Sequence, residues 1–500
     1  MSAKISSITA RRNSIRICIE RGSVEENRKK YFGVEVLSPS EKQELIAKYE
    51  KVFTILDETG KECILVPEKA GGRSTAVCRF RVTDGETVLE GPSFAEEIYD
   101  SERSFPYPEA GTKKGLQIAD VNDAIELGVR HAALNVSQGD FLQLEPEPDN
   151  TIEFVLDGRT FYFNRRTVEA NDKKIRELTE AGVIITLILL NSPKWSGKVN
   201  EKLWKVIAHP DTLVGEGNEG LISEFNITSD EGVQYYRAFV AFLADRYARQ
   251  DAPYGRAVGM IVGNEVNSGW IWCNAGIKTV EEYTEEYADI VRLTWQTAVK
   301  YYSGIRIYLS FDHFWTGSAG GPSDKRYYGA KDMLRILNKR LTEQGNVPWN
   351  IAHHPYPQDL RYPDFWNDTQ ATDSPDAPII TFKNLQVLAA FTYEDEYLYK
   401  GKRRRIILSE QGFNSHWTTE SEVLQAMAYG IAYKKVMGIP EIDSFILHAH
   451  HDNIGEFGLN LGLWRRSEDG KMMVAQKPIY YVFKAIDKKD ERGVYHWERY

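Results

Sequence analysis

The chain has 500 residues, enough for a large barrel plus a smaller module, and its hydrophobic share of 42% is ordinary for a globular protein. Lys and Arg number 62 against 72 Asp and Glu, a formal charge of −10, which argues against nucleic acid as the main partner because phosphate binding needs a basic face. No apolar run is long enough to cross a bilayer or to read as a signal peptide. The simplest expectation is a cytoplasmic protein, or an exported one whose leader is missing from this chain.

Residues 1 to about 105 carry strand signals. Ser14 to Ile19 and Tyr31 to Val36 alternate apolar and polar residues. Val52 to Leu56 and Glu62 to Val66 flank a turn signal at Glu58-Thr59-Gly60, and Ala76 to Val82 precede another at Asp84-Gly85. A short helix is predicted from Ser40 to Tyr49, with Ser40 as its cap. These elements predict a β-rich, sandwich-like module over 1–105. Cys18, Cys63 and Cys78 fall in it and read as buried thiols, since neither they nor Cys273 form a C-x-x-C pair. Ser101 to Lys114, with two prolines and a glycine, reads as a linker.

Beyond it, strands alternate with helical patterns. Gly115 to Val121 is the first predicted strand, with a short helix from Val121 to Gly128. His131 to Val136 is the second, followed by an inserted hairpin, Thr151–Leu156 and Arg159–Phe163 around Asp157-Gly158. Then come helix 166–181, strand 183–190, helix 233–249 and a strand running into Gly263-Asn264-Glu265. Helix 279–303, strand 305–311, helix 330–344 and strand 350–354 continue the series, as do helix 383–400, strand 405–409, helix 420–437, strand 442–448 and helix 478–487. Eight strands, each with a helical crossover, predict an α/β fold of the (β/α)₈ TIM-barrel type over 110–490. The competing open sheet would want a glycine-rich phosphate turn after its first strand, and Leu116 to Asp123 contain no glycine.

In such a barrel, chemistry sits where strands end. The predicted strand ends are almost uniformly polar: Asp120, Asn135, Asn191, Asn264, Glu265, Asp312, His313, His353, His354, Tyr356, Glu410, His448 and His450. Two of the apolar runs end in a carboxylate, Val258 to Glu265 and Arg405 to Glu410. Charged side chains are rarely buried without a partner or a task, and paired carboxylates flanking a glycosidic bond are the machinery of most glycoside hydrolases.

Asn264-Glu265 closing the fourth strand, with Glu410 closing the seventh, resembles the glycoside hydrolases of clan A, retaining enzymes on a (β/α)₈ barrel. Tyr356 in His353-His354-Pro355-Tyr356 and a mostly apolar eighth strand extend the resemblance. With its β-rich front module, the layout is most similar to a bacterial barrel family of unknown function. The resemblance implies that Glu265 is the general acid/base and Glu410 the nucleophile. It implies that Asn264 bonds the sugar 2-hydroxyl and that Tyr356 donates to Glu410. Many clan members floor the −1 subsite with a Trp at the end of strand eight. Here that stretch reads Phe445 to His451, so His448 or His450 takes the place, or Trp464 reaches in from the following loop. His354, Asn135, Trp270, Trp272, His313 and Trp315 complete the expected sugar contacts. The expected substrate is a β-linked oligosaccharide or polysaccharide. No metal, organic cofactor, nucleic acid or membrane is called for, and the oligomeric state is left open.

Aromatic residues make up 12% of the chain, with 11 Trp and 27 Tyr. Flat rings suit sugars, although larger cores account for most of them. Two other readings stay open. A metal-dependent barrel hydrolase would use His353, His354, His448, His450 and His451 with Asp312 and Asp452, but Gln117 to Asp120 offer no His-x-His on strand one. A non-catalytic sugar-binding barrel would use Trp195, Trp270, Trp272, Trp315, Trp417 and Trp464, and would have no need of the glutamate pair. The front module shows no Trp cluster and reads as a structural lid or interface.

Overall fold

The structure, a computed structural model, describes residues 3–21, 31–192, 200–214, 219–321, 323–489 and 495; Trp195 lies outside them. The β-rich module is one eight-stranded sheet with a small separate hairpin, Lys69–Ala70 and Arg73–Ser74. The sheet's strands are Ala3–Ala10, Ser14–Arg21, Tyr31–Leu37, Leu45–Leu56, Glu62–Pro67, Arg79–Asp84, Thr87–Phe94 and Glu97–Ile98. The last two are consecutive in the chain yet lie at opposite edges, Glu97–Ile98 pairing in parallel with Thr9 and Ala10. The sheet therefore curls over its own core of Ile15, Ile17, Val34, Val36, Ile64, Phe80 and Val82.

Two expectations for this module are corrected. No helix forms over 40–49: from Leu45 the chain is already in the Leu45–Leu56 strand, paired with Tyr31–Leu37. A capping serine is a local signal, and a whole edge of unpaired neighbouring backbone outweighs it. Cys18 and Cys63 are not thiols but a disulfide, because antiparallel pairing of Ser14–Arg21 with Glu62–Pro67 sets them directly opposite each other. Cys78 and Cys273 are buried and free.

The eight predicted barrel strands all form: Lys114–Leu116, His131–Ser137, Ile184–Leu190, Ala257–Val262, Arg306–Phe311, Trp349–His353, Ile406–Leu408 and Ile442–Leu447. They pair in that order, all in parallel, and the barrel closes where Gly115 meets Ile446. A β-carbon at Gly115 would stand 2.7 Å from the Ile446 side chain and 2.9 Å from the His131 carbonyl, so closure here needs glycine. The predicted helix 383–400 is cut to Leu385–Phe391, flanked by single 3₁₀ turns. Thr392 bonds back to the Ala389 carbonyl, and the run Glu394-Asp395-Glu396 would put negative charge at a helix C-terminus, where the dipole opposes it. Among the described residues no helix is long and apolar enough to cross a membrane.

Side chains alternate in and out along each strand. Ala133, Ile188, Ile261, Tyr308, Ala352, Ile407 and Ile446 point inward and pack as an apolar tier. Two residues further toward the C-terminal end the inward positions are Asn135, Leu190, Gly263, Ser310, His354, Ser409 and His448, of which only Leu190 is a large apolar residue. Apart from Leu190 on strand three, the barrel thus changes from oily to largely polar in one step of the pleat, and that step sets the depth of the site.

The front sheet is fastened to the outer helices by buried charge. Asp289, on helix Val280–Ala298, pairs with Arg79 of the sheet at 3.0 Å, with Arg292 at 2.6 Å and with Arg340 of helix Ala330–Gln344 at 2.8 Å. The guanidinium groups of Arg79 and Arg292 both lie over the Phe94 ring, 4.7 and 4.2 Å from its centroid. Burial alone would raise the Asp289 carboxyl, but the three arginines outweigh it and hold it at about 2. This contribution is complete above the ordinary carboxylate range and is lost as pH falls through about 2. Removing one partner of such a cluster strands the others in a poor solvent, so Asp289→Ala is expected to cost about 3–5 kcal/mol. Chemical denaturation at pH 7 checks this, and an unchanged midpoint would contradict it.

Candidate active site

The fourth barrel strand, Ala257–Val262, is all apolar and buried, and runs into Gly263 at φ +75°. Two residues on, Glu265 is itself left-handed, at φ 39° and ψ 55°. That conformation is costly for a residue with a side chain and persists only when its surroundings enforce it. Here the Glu265 N–H donates to the Ser310 hydroxyl at 3.0 Å, and its carbonyl accepts from Ser268 N–H at 2.8 Å, closing a tight turn. Asp312 braces the turn from the fifth strand end by accepting from the Asn267 amide and the Ser268 hydroxyl. The strained turn swings the Glu265 carboxyl over the barrel mouth.

Glu410 ends the seventh strand and faces the same space. An oxygen of Glu265, an oxygen of Glu410 and a ring nitrogen of His354 all lie within 4.8 Å of one another. The two carboxyls nevertheless live in different surroundings. Burial pushes Glu265 up to about 7, with the Asp312 and Glu410 charges adding to it and His354 opposing. Its one strong partner is His354, whose Nδ1 lies 2.9 Å from Oε1 while Nε2 meets the Ser409 hydroxyl at 2.9 Å. Burial would raise Glu410 too, but the positive charge of His448 and His354 overcomes it. Hydrogen bonds from Gln117 at 2.9 Å and Tyr356 at 3.2 Å add to that, and Glu410 lies below the usual carboxylate range. Two neighbouring acids pushed apart in this way are suited to opposite halves of acid–base chemistry.

Both open onto a cavity of about 500 Å³ walled by Trp272, His313, Tyr327, Leu360, Phe457 and Leu461. Trp272 stands edge-on to Phe457, their ring centroids 6.2 Å apart. His313 is buried and held neutral, its protonated form disfavoured by desolvation. Asn264 is half-buried between Gly263 and Glu265, and Asn135 is exposed on the inward face of strand two. Trp270 stands at the rim, donating to Glu219 at 3.0 Å with Arg326 over its ring.

Three expected sugar contacts are placed elsewhere. Trp315 is 2% exposed, packs on Phe391 and donates to the Pro375 carbonyl; it belongs to the core. His450 is 1% exposed, accepts from the Ala119 and Asp120 N–H groups and faces Asp123 at 2.8 Å. Trp464 donates to that same Asp123 and packs on Tyr480. Strand parity alone would turn His450 the same way as His448, but strand eight ends at Leu447 and by His450 the chain has left the barrel for the loop.

The strand-end histidines do not converge. His353 bonds the Ile380 carbonyl, His451 the Asp452 carbonyl and His450 Asp123. Asp452 is taken by Lys477 at 2.8 Å, both fully buried. His354 joins the two glutamates and His448 stands by Glu410, but the ring nitrogens of both already have partners. Gln117, outside the expected site residues, touches both Glu410 and His448. The available signal was its position two residues after Gly115, on the inward face of strand one. Glu456 carries no such signal, because it reaches the site from a loop.

The chain matches the model of a family described as a family of unknown function (DUF5722) over residues 106–497. It belongs to that family. The matched segment holds the barrel and both glutamates. No curated protein matches the chain in sequence. By structure it is similar to a family 39 glycoside hydrolase from the gut symbiont Bacteroides cellulosilyticus WH2, at 13% identity over 97% of this chain and 82% of that one, with a TM-score of 0.46. It is also similar to a family 1 β-glucosidase from Thermotoga maritima, at 11% identity over 74% of this chain and 86% of that one, TM-score 0.45. A third is a hyperthermophilic β-glucosidase from Pyrococcus furiosus, at 14% identity over 75% and 84%, TM-score 0.46.

Core and cavity aromatics separate by experiment. Trp315→Ala is expected to cost about 3–5 kcal/mol of stability, and Trp272→Ala about 1 kcal/mol. Denaturation midpoints of the two variants check this, and equal losses would contradict the placement.

Proposed function

We propose that the protein is a retaining glycoside hydrolase acting on a β-linked glycan or an oligosaccharide cut from one, with Glu265 as acid/base and Glu410 as nucleophile. One observation carries the reading: two carboxyls at the ends of strands four and seven approach within 4.8 Å and are driven to opposite protonation states. In retaining glycosidases the carboxyls lie about 5–5.5 Å apart, whereas inverting ones leave about 6.5–9.5 Å for a water. The close approach here favours direct attack by a carboxylate.

In the first step a Glu410 oxygen bonds to the anomeric carbon as the bond to the leaving oxygen breaks, and Glu265 gives that oxygen its proton. In the second, Glu265, now a carboxylate, takes a proton from water, whose oxygen displaces Glu410 from the anomeric carbon. Glu265 ends protonated and Glu410 ionised, as they began. Tyr356 and Gln117 donate to the resting Glu410 carboxylate, which favours its ionised form. In this reading Asn264, which precedes the acid in the chain, contacts the sugar 2-hydroxyl. The cavity is lined by Glu219, Glu265, Asp312, Glu410 and Glu456 against a single arginine, Arg326, which suits neutral sugars and repels uronic acids.

Glu410→Ala is expected to lower kcat on the order of 10⁴- to 10⁶-fold, with partial rescue by azide. Glu265→Ala should spare substrates with good leaving groups such as dinitrophenol. Because the acid must hold its proton, kcat/KM should fall as pH rises through about 7. A fluorosugar inactivator should label the stretch 406–434, and NMR of the first product should show retained configuration. Label elsewhere, or an inverted first product, would overturn the assignment. Activity is expected to survive dialysis against chelator; loss restored by zinc or manganese would count against a two-carboxylate mechanism.

A further inference from the structure

Where a barrel of the resembled kind is expected to carry an aromatic floor, this chain places a histidine between two carboxylates. His448 Nδ1 lies 2.6 Å from the Gln117 side-chain oxygen, and His448 Nε2 lies 3.3 Å from Glu456. The other end of Gln117 donates from Nε2 to Glu410 Oε2 at 2.9 Å. A continuous chain therefore runs from Glu456 through His448 and Gln117 to the proposed nucleophile. We propose that Glu456, His448 and Gln117 are positioning residues that hold an imidazolium beside Glu410 at neutral pH and so tie its charge to the loop that carries Glu456.

Donor and acceptor logic carries this. The Gln117 amide has one end that donates and one that accepts. An oxygen turned toward the Glu410 carboxylate would be repelled, so the NH₂ group faces Glu410 and the oxygen faces His448. Nδ1 must then carry a hydrogen to donate. On the other side of the ring, Nε2 faces a carboxylate, which only accepts, so Nε2 must carry a hydrogen as well. A ring with both nitrogens protonated is a cation. The groups facing it agree: Glu410 from strand seven, Glu265 from strand four and Glu456 from the loop, with uncharged Gln117 from strand one. Burial alone would disfavour the charge, but these carboxylates overcome it and raise His448 to about 9.

The loop that delivers Glu456 is itself anchored. Asp452 at its start is held by fully buried Lys477 at 2.8 Å, by the Trp417 indole at 2.7 Å and by the Gly462 N–H at 2.8 Å. Glu456 is fixed from within by the Leu459 N–H on its carbonyl at 2.8 Å. The loop thus closes one wall of the cavity and supplies the counter-charge that keeps His448 protonated. His448 in turn gives Glu410 the positive neighbour that a lone barrel-mouth carboxylate lacks.

The relay's effect on catalysis rests on the proposed glycosidase reading, but its protonation state does not, and the test separates the two. In protein labelled with ¹⁵N at histidine, with His448 assigned by its loss in His448→Gln, both ring nitrogens of His448 should be protonated at pH 7.5. In Glu456→Gln and Glu410→Gln the ring should give up one proton at a lower pH than in the parent chain. A neutral His448 at pH 7.5 in the parent chain, or a titration indifferent to Glu456, overturns the relay whether or not any glycoside is cleaved. On a cleaved substrate, Glu456→Gln and Gln117→Leu should each move the acid limb of kcat/KM upward by about one pH unit, while the limb set by Glu265 stays in place. A fall in kcat with the acid limb unmoved would reduce these residues to structural supports. Absence of glycoside turnover, with the ring protonated as stated, would fault the functional reading and leave the relay standing.

Discussion

Two carboxyls within 4.8 Å of each other, both largely out of water, cannot both carry a full charge at little cost. Everything around the barrel mouth answers to that constraint. Glu265 is given one strong partner and left desolvated, so it holds its proton. Glu410 is given a tyrosine hydroxyl, an amide and two imidazoles, so it does not. The asymmetry lies in what the neighbouring strands place beside each acid. Strand six sends His354 between the two and Tyr356 to Glu410 alone. Strand one sends Gln117 to Glu410, and strand eight sends His448 to stand behind it.

The barrel makes that asymmetry possible through its pleat. Its lower interior is filled by Ala133, Ile188, Ile261, Tyr308, Ala352, Ile407 and Ile446, a dry and rigid platform. One pleat above, Ser310, His354, Ser409 and His448 replace aliphatic groups, and each bonds across to a neighbouring strand end. The left-handed turn at Glu265 is tolerable because Ser310 and Asp312 fix it from the adjacent strand. The front sheet adds rigidity from outside. It grips helix Val280–Ala298 through Arg79 and Asp289 on the barrel's outer face, away from the cavity.

Much of the fold was legible in the sequence. The alternation of apolar runs with amphipathic helices is a local property, and all eight barrel strands fall where it puts them. Where the reading failed, a longer-range force had overruled a local one. The 40–49 segment joined a strand because its neighbour offered an edge. Helix 383–400 stopped early because acidic residues and a back-bonding threonine gathered at its C-terminal end. Cys18 and Cys63 became a pair because strand register, invisible from 45 residues away, set them opposite each other.

The sequence by itself determined that Glu265 and Glu410 end strands of one barrel, since an apolar run ending in a carboxylate at the fourth and seventh places is a one-dimensional fact. It determined as well that the barrel mouth is polar, and that Tyr356 and His354 stand near it. Only the tertiary structure decided which aromatic and imidazole side chains face the cavity. Trp272 and Trp315 look alike as loop tryptophans, yet one lines the cavity and the other is core. His448 and His450 are two residues apart, yet one neighbours Glu410 and the other is spent on Asp123. Gln117 and Glu456 needed the fold to matter at all. The physical reason is that side-chain direction, burial and hydrogen-bond partners are set by strand register and loop closure. Those bring together residues hundreds of positions apart, while local patterning fixes only which elements exist and where they end.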